Sequence, residues 1–220
     1  MKGFLARLFG LGKGAAPSPP PAAQAPAEDP VAILRDHIRR EVAMGFRDED
    51  VILTEAPDLL GDDLDPAWIQ REAPRLLREA LADHADVAAG WPATTDCDRL
   101  DAAFAALEAD GVIARQNFTC CSNCGSTEIW DEIALAQDAG LPAHGYTFYH
   151  IQDTESAAEG HGVYLGYGAC EEGEDAALDV AREILVQLEA HGLAPEWDGS
   201  WDRKIHVPLD WKKRRGVARA

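Results

Sequence analysis

The sequence predicts an α+β protein in which an N-terminal helical subdomain precedes a ferredoxin-like β-α-β-β-α-β domain with an antiparallel sheet. Apolar residues recur at helical spacing through residues 29–92. From residue 93 onward, short β-branched and aromatic runs alternate with helical patterns. With 220 residues, 46% of them hydrophobic, the chain can bury one sizeable core, and no apolar run is long enough to span a membrane.

Residues 1–28 are predicted to lie outside the folded body. Residues 1–13 form a short cationic amphipathic stretch, which suits weak peripheral contact with a membrane or docking on a partner. Residues 14–28 are rich in proline and alanine and cannot build a core. We therefore expect a disordered tether here.

Three helices are predicted in the helical subdomain, residues 29–92. The first begins at Pro30, after a capping aspartate, and ends at Gly45. The second covers residues 48–60, and the third begins after Asp65 and is kinked or divided at Pro74. The two histidines of this subdomain are expected at the surface (His37 and His84).

The ferredoxin-like domain is predicted to occupy residues 93–210, followed by a basic tail at 211–220. The predicted elements, in chain order, are a helix at 98–109, a strand at 112–118, a helix at 127–138, strands at 146–151 and 163–167, a helix at 176–190, a strand at 193–197 and a last short strand at 204–207. The tail is expected to stay solvated or to fold back on the acidic body.

The stretch Asn117-Phe118-Thr119-Cys120-Cys121-Ser122-Asn123-Cys124-Gly125 concentrates three of the five cysteines between a predicted strand and a predicted helix. Two thiols separated by two residues and followed by glycine can point at one centre, as a soft metal ion or a dithiol couple requires. Five is an odd number, and cytoplasmic thiols stay reduced, so a disulfide framework is disfavoured. We expect a cytoplasmic protein.

The predicted topology brings further ligands towards this stretch. A helix of about 12 residues and a strand of about 6 both span roughly 20 Å, so the start of the leading helix should lie near the end of the first strand. Cys97 would then join Cys120, Cys121 and Cys124, with Cys170 at the opposite end. The sequence predicts a tetrahedral zinc site formed by Cys97, Cys121 and Cys124, with a fourth ligand that is either Cys120 or a histidine of this edge (His150 or His161).

Two other interpretations of the cysteines remain open. Cys121 and Cys124 at a helix N-terminus could form a redox couple, because the exposed N–H groups lower a thiol pKa. The strand order and the lack of proline between them differ from thioredoxin. The third interpretation is that these are turn cysteines without chemical function.

The string Tyr149-His150-Ile151-Gln152-Asp153-Thr154-Glu155 also allows two interpretations. His150, Asp153 and Glu155 could supply a metal ligand or a general acid–base pair. Alternatively, Asp153 or Thr154 starts a helical turn by capping it. The sequence contains no Ser-His-Asp order and no phosphate-binding glycine loop, so catalysis has little support.

Charge restricts the class of partner. The net charge is −19, and half of the lysines and arginines lie in residues 1–13 and 203–220. An acidic body repels phosphate backbones, so we expect a protein partner and no nucleic acid.

The chain resembles a family of uncharacterised bacterial proteins classed as a domain of unknown function. The resemblance covers roughly residues 30–212 and is carried by the two strings above, by Thr95-Asp96-Cys97-Asp98-Arg99-Leu100-Asp101 and by Gly162-Val163-Tyr164-Leu165-Gly166-Tyr167-Gly168. It implies a shared fold and no mechanism. A non-catalytic binding or regulatory module with a structural zinc site is therefore predicted. The alternative is a thiol redox or metal-assisted enzyme using Cys121 and Cys124.

Overall fold

A computed structural model describes residues 29–62 and 64–215, which contain seven helices and four strands. In chain order these are α1 (Pro30–Met44), α2 (Glu49–Leu60), α3 (Pro66–Ala88), α4 (Asp96–Asp110), β1 (Val112–Arg115), α5 (Ser122–Asp138), β2 (Gly145–Phe148), α6 (Ile151–Ala158), β3 (Val163–Ala169), α7 (Glu174–Ala190) and β4 (Ile205–Val207). None of these helices is long and apolar enough to cross a membrane. The predicted amphipathic segment and tether lie outside the described residues.

Helices α1 to α3 pack around a core of their own. The Asp29 side chain accepts a hydrogen bond from the Val31 N–H at the start of α1, and Gly45 ends that helix at φ 79°. Helix α3 continues through Pro74 as one element, so the predicted division there is wrong. Its apolar stripe packs on both sides of the proline, and this packing outweighs the missing N–H donor (Ile69, Ala73, Leu76 and Leu77).

The two histidines of this helical region are only partly exposed. His37 and His84 are half-buried, and burial lowers the pKa of both, that of His37 to about 4. The surface prediction therefore holds only in part, because neighbouring groups cover much of each ring.

The sheet is mixed and has the strand order β1-β2-β3-β4. Strands β1 and β2 are parallel, whereas β2 with β3 and β3 with β4 are antiparallel. The predicted ferredoxin-like order is not confirmed, because that order inserts a third strand between the first two, and here they pair directly. The connection between β2 and β3 also contains helix α6, where the sequence predicted a strand continuing to residue 151.

Helices cover both faces of the sheet. Val112 and Ala114 of β1 enter a large core with α4 and α7, while Ile113 enters a smaller core with α5. Because successive strand residues point to opposite faces, α4 and α5 lie on opposite sides of β1. This separation determines which of the predicted metal ligands can lie close together.

The end of the chain differs from the prediction at two points. Residues 193–197 form no strand; a single bridge pairs Glu196 with His206, and Pro195 lacks the N–H that a ladder needs. The described part of the basic tail folds back on the acidic body. Lys213 forms an ion pair with Asp101 at 2.8 Å, and the Trp211 indole N–H donates to a carbonyl of α1 at 3.0 Å.

Candidate metal centre

The cysteine turn, residues 117–125, connects β1 to α5 and gathers three thiols. The Sγ atoms of Cys120, Cys121 and Cys124 all lie within 4.8 Å of one another, and those of Cys120 and Cys124 are 3.4 Å apart. Cys120 is exposed and the other two are half-buried. The predicted cysteine cluster is therefore present for these three residues.

The backbone of the cysteine turn is tightly shaped and anchored. Asn117 and Thr119 adopt left-handed conformations with φ 50° and 57°, which for a β-branched threonine costs on the order of 1–2 kcal/mol. Two hydrogen bonds to the chain after β2 hold the turn: Phe118 N–H donates to Tyr149 O at 2.9 Å, and Ile151 N–H donates to Thr119 O at 3.1 Å. The two strings singled out in the sequence thus meet in space.

Glycine is required where α5 begins. A Cβ on Gly125 would lie 2.4 Å from the Phe148 ring, which is buried in the core beneath α5. No L side chain fits there without moving the ring. Gly125 therefore lets the helix, with Cys121 and Cys124 in its first turn, approach β2 closely.

Hydrogen bonds in the turn shift the thiol pKa values of Cys121 and Cys124 in opposite directions. The backbone N–H groups of Cys124 and Asn123 at the helix N-terminus lower the pKa of Cys121. Hydrogen bonds with the thiols of Cys120 and Cys121 raise the pKa of Cys124 to about 11. A second thiolate beside the first is unfavourable unless a cation neutralises it, so the donor set favours a soft metal ion.

The spacing of the sulfurs fits such an ion. Zinc–sulfur bonds of about 2.3 Å in a tetrahedron separate the sulfurs by roughly 3.8 Å. The three Sγ atoms lie within 4.8 Å of one another and need only small side-chain rotations to reach that separation. Cys120, Cys121 and Cys124 can hold the ion.

The other predicted ligands are not part of this three-thiol group. Cys97 lies at the start of α4, on the opposite face of the sheet, where it is 2% exposed. Burial raises its pKa to about 12. His161 is exposed, and its carbonyl accepts a hydrogen bond from His206 Nε2 at 3.1 Å. Cys170 follows β3 at the opposite end of the sheet, as predicted.

His150 caps helix α6, so the second interpretation of its string is right that a helix begins here and wrong that Asp153 or Thr154 is the capping residue. Its Nδ1 accepts a hydrogen bond from Asp153 N–H at 3.2 Å, and the Asp153 carboxylate accepts from His150 N–H at 3.1 Å. The same Nδ1 lies 3.1 Å from the Asp153 carboxylate, and Nε2 contacts Ser122 Oγ at 3.1 Å. His150 thereby positions the first residue of α5, immediately after Cys121.

Ser122 and Lys204 are the site residues that the sequence analysis missed. Lys204 Nζ lies 3.7 Å from the Asp153 carboxylate and 3.4 Å from His150 Nε2. Burial, and then the charge of Lys204, lower the pKa of His150, while Asp153 opposes them. Ser122 could have been found, because it follows Cys121 directly at the predicted helix start. Lys204 could not, because it lies 54 residues from His150 and no local pattern connects the two.

The contacts from Ser122 through His150 to Asp153 have the composition of a hydrolase triad. Nε2 of His150 faces Ser122 Oγ and Nδ1 faces the Asp153 carboxylate, each at 3.1 Å. A general base needs a free lone pair on the nitrogen that faces the serine. Here Lys204 Nζ, which can only donate, also approaches that nitrogen at 3.4 Å, so it competes with the serine for the lone pair. The arrangement links the cap of α6 to the cysteine turn.

The chain belongs to a protein family described as a domain of unknown function (DUF6891), which matches residues 27–215. No curated protein and no solved structure shows significant similarity to the chain.

Proposed function

We propose that this protein is a non-catalytic binding or regulatory module whose cysteine turn holds a zinc ion through Cys120, Cys121 and Cys124. The proximity of three thiols on an accessible turn carries this proposal. In a reducing cytoplasm, thiolates of this kind bind zinc tightly. We place the protein in that compartment.

The fourth coordination position is the proposed point of regulation. No fourth cysteine, histidine or carboxylate joins the three-thiol group within the described residues. A position left to water can instead accept a side chain of a partner protein. Lys204 Nζ lies 3.4 Å from the His150 nitrogen that a general base would use and competes for its lone pair, which favours binding over catalysis at this centre.

Elemental analysis of full-length protein, purified without added metal, tests the proposal. We expect about one zinc per chain, as for a single structural site. Cys121→Ser and Cys124→Ser should abolish most of it. Cys170→Ser at the opposite end of the sheet and Cys97→Ser on the opposite face are the matched controls and should keep the metal.

Two results would contradict the zinc centre, and a third would show that a control variant is unfolded. Protein free of metal, which also fails to take up zinc during dialysis, has no such site. Metal retained in both Cys121→Ser and Cys124→Ser shows that these thiols are not ligands. Metal lost in the Cys97→Ser or Cys170→Ser control to the same extent points to unfolding instead of ligand loss, which circular dichroism of that variant would verify.

A thiol redox function is the second candidate, favoured by one observation. The pKa of Cys121 is lowered by helix N–H groups, and accessible thiols neighbour it. In that case two cysteines of the metal-free turn form a disulfide while an external disulfide is reduced to two thiols, which take up the two electrons and the two protons. Mass spectrometry after incubation with oxidised glutathione would detect the bond, and zinc should block it if the first proposal holds.

Membrane contact by residues 1–13 stays a separate prediction, because those residues lie outside the described part of the chain. We propose that the contact is weak. Vesicles of anionic lipid should retain the full-length protein more than neutral vesicles do, and a Phe4→Ser, Phe9→Ser double variant should remove the difference.

A further inference from the structure

A cavity of about 380 Å³ lies at the end of the sheet opposite to the cysteine turn. It is bordered by α5, by the end of β3 and the loop that follows it, and by the loop that precedes β4. Its lining combines three aromatic rings with three glutamates (Trp130, Tyr146, Trp201, Glu171, Glu172 and Glu174). The cavity shares no thiol with the cysteine turn, so its function is independent of the proposed zinc ion.

The two most exposed tryptophans of the protein both line this one cavity. Trp130 is 46% exposed and Trp201 is 49% exposed, whereas the other four tryptophans are half-buried. An exposed indole loses the apolar burial that normally places it inside or at an interface. Two such residues at one cavity indicate a surface that a ligand covers.

Neighbouring groups hold the rings in place. Trp130 meets Tyr146 edge to face, with centroids 5.7 Å apart and an interplanar angle of 71°. A Cβ on Gly168 would lie 2.5 Å from the Tyr146 hydroxyl, so glycine is what lets this ring lie on the sheet. Trp201 packs on Tyr167 in a similar edge arrangement at 6.3 Å. The aromatic lining is therefore formed before a ligand arrives.

The charged side chains that line the cavity are all negative. Glu171, Glu172 and Glu174 lie in the loop after β3 and at the start of α7, and no lysine, arginine or histidine lines the cavity. Within residues 29–62 and 64–215, no cationic side chain forms an ion pair with any of the three. The lining thus offers negative charge and aromatic faces together.

We propose that this cavity binds a small organic ammonium cation, with its methylated head group against the aromatic rings and its charge balanced by the glutamates. Aromatic faces attract such cations through their quadrupole, and a methylated ammonium loses little hydration when it is buried. A bare metal ion would lose more hydration free energy on entering the cavity than the aromatic faces return. The volume suits a single small molecule and not a folded segment.

Calorimetric titration of the full-length protein with choline tests the site. The control ligand is the neutral tert-butyl isostere of choline, in which carbon replaces nitrogen and the shape is unchanged. We expect choline to bind at least about 10-fold more tightly than the isostere, because only the cation interacts with the rings and carboxylates. Equal affinity for both ligands, or no binding of either, would overturn the proposal.

Two variants with matched controls assign the binding to this cavity. Trp130→Ala should weaken choline binding about 10-fold, and Glu172→Gln should weaken it about threefold. Leu135→Ala truncates one exposed side chain of the same helix α5 and Glu128→Gln neutralises another. Both lie outside the cavity, so neither should change the affinity for choline. Unchanged affinity in Trp130→Ala refutes the cavity as the site. A lysine-rich peptide that binds through Trp130 while choline does not would show a protein partner and refute a small ligand.

Discussion

Cys97 and the cysteine turn carry the same chemical group with opposite properties. The thiol of Cys97 is 2% exposed on the α4 face of the sheet, and burial raises its pKa to about 12. Cys121 lies on the α5 face, where helix N–H groups lower its pKa. Both follow from position alone: one thiol is removed from water and the other meets backbone N–H donors at a helix N-terminus.

Whether two residues can share a site therefore depends on the face of the sheet they lie on as much as on the end of the sheet. Gln116, directly after β1, contacts Asp101 of α4 at 2.9 Å, so the start of α4 does lie near the end of β1. The sheet itself nevertheless separates Cys97 from the thiols of α5. Proximity in topology is therefore no guarantee of a shared site.

Thiol alkylation should reveal the largest contrast between the two positions. At about pH 8, a thiol of pKa near 12 is ionised in only about one molecule in 10,000, so Cys97 should react at least about 1,000-fold more slowly than Cys121. Iodoacetamide labelling followed by peptide mass spectrometry measures both rates, with urea-unfolded protein as the control. Comparable alkylation rates in the native protein would show that burial does not suppress the ionisation of Cys97.

The packing beneath the cysteine turn should be the next most sensitive feature. Gly125→Ala forces a methyl group against the buried Phe148 ring and should lower the free energy of unfolding by about 2 kcal/mol. Ser126→Ala, an exposed change one residue later, should cost less than about 0.5 kcal/mol. Urea unfolding of both variants measures the difference. Equal stability would mean that α5 can shift away from β2.

Alkaline pH should reduce stability through Cys97, and the Cys97→Ala variant isolates this contribution from that of Cys124 in the turn. The folded pKa of about 12 lies above the ordinary value of 9.0, so the stabilisation is complete below pH 9 and is lost as the pH rises towards 12. Between about pH 8 and about pH 10 the wild type should lose about 1 kcal/mol more than Cys97→Ala. Urea unfolding at both pH values provides the test, and parallel losses in the two proteins would show that Cys97 ionises freely when folded.

The smallest expected effect concerns the link between His150 and the turn. Ser122→Ala removes the hydrogen bond from His150 Nε2, which should cost about 0.5 kcal/mol. Because that bond positions the residue beside Cys121, zinc affinity should also fall by about 10-fold. Competition with a chelator measures the affinity, and Ser126→Ala is the control. Unchanged zinc affinity would separate the cap from the metal centre.

Several elements were predictable because their signals are local. Asp29 and Gly45 delimit α1 as expected, since capping and left-handed termination depend on neighbouring residues alone. The cysteine spacing likewise predicted that Cys120, Cys121 and Cys124 would gather. Helix α6 was predicted only as a turn capped by Asp153 or Thr154, whereas it begins at Ile151 with His150 as its cap.

Sequence patterns were enough to predict six of the seven helices of the described residues, the caps of α1 and the three-thiol turn, because each depends on residues within one or two turns of each other. Only the tertiary structure decided that β2 pairs directly with β1, that Cys97 is buried on the opposite face, and that His150 contacts Ser122 while Lys204 approaches both His150 and Asp153. Strand pairing and the choice of face are set by which apolar surfaces pack together across long stretches of chain, and no local pattern encodes that competition.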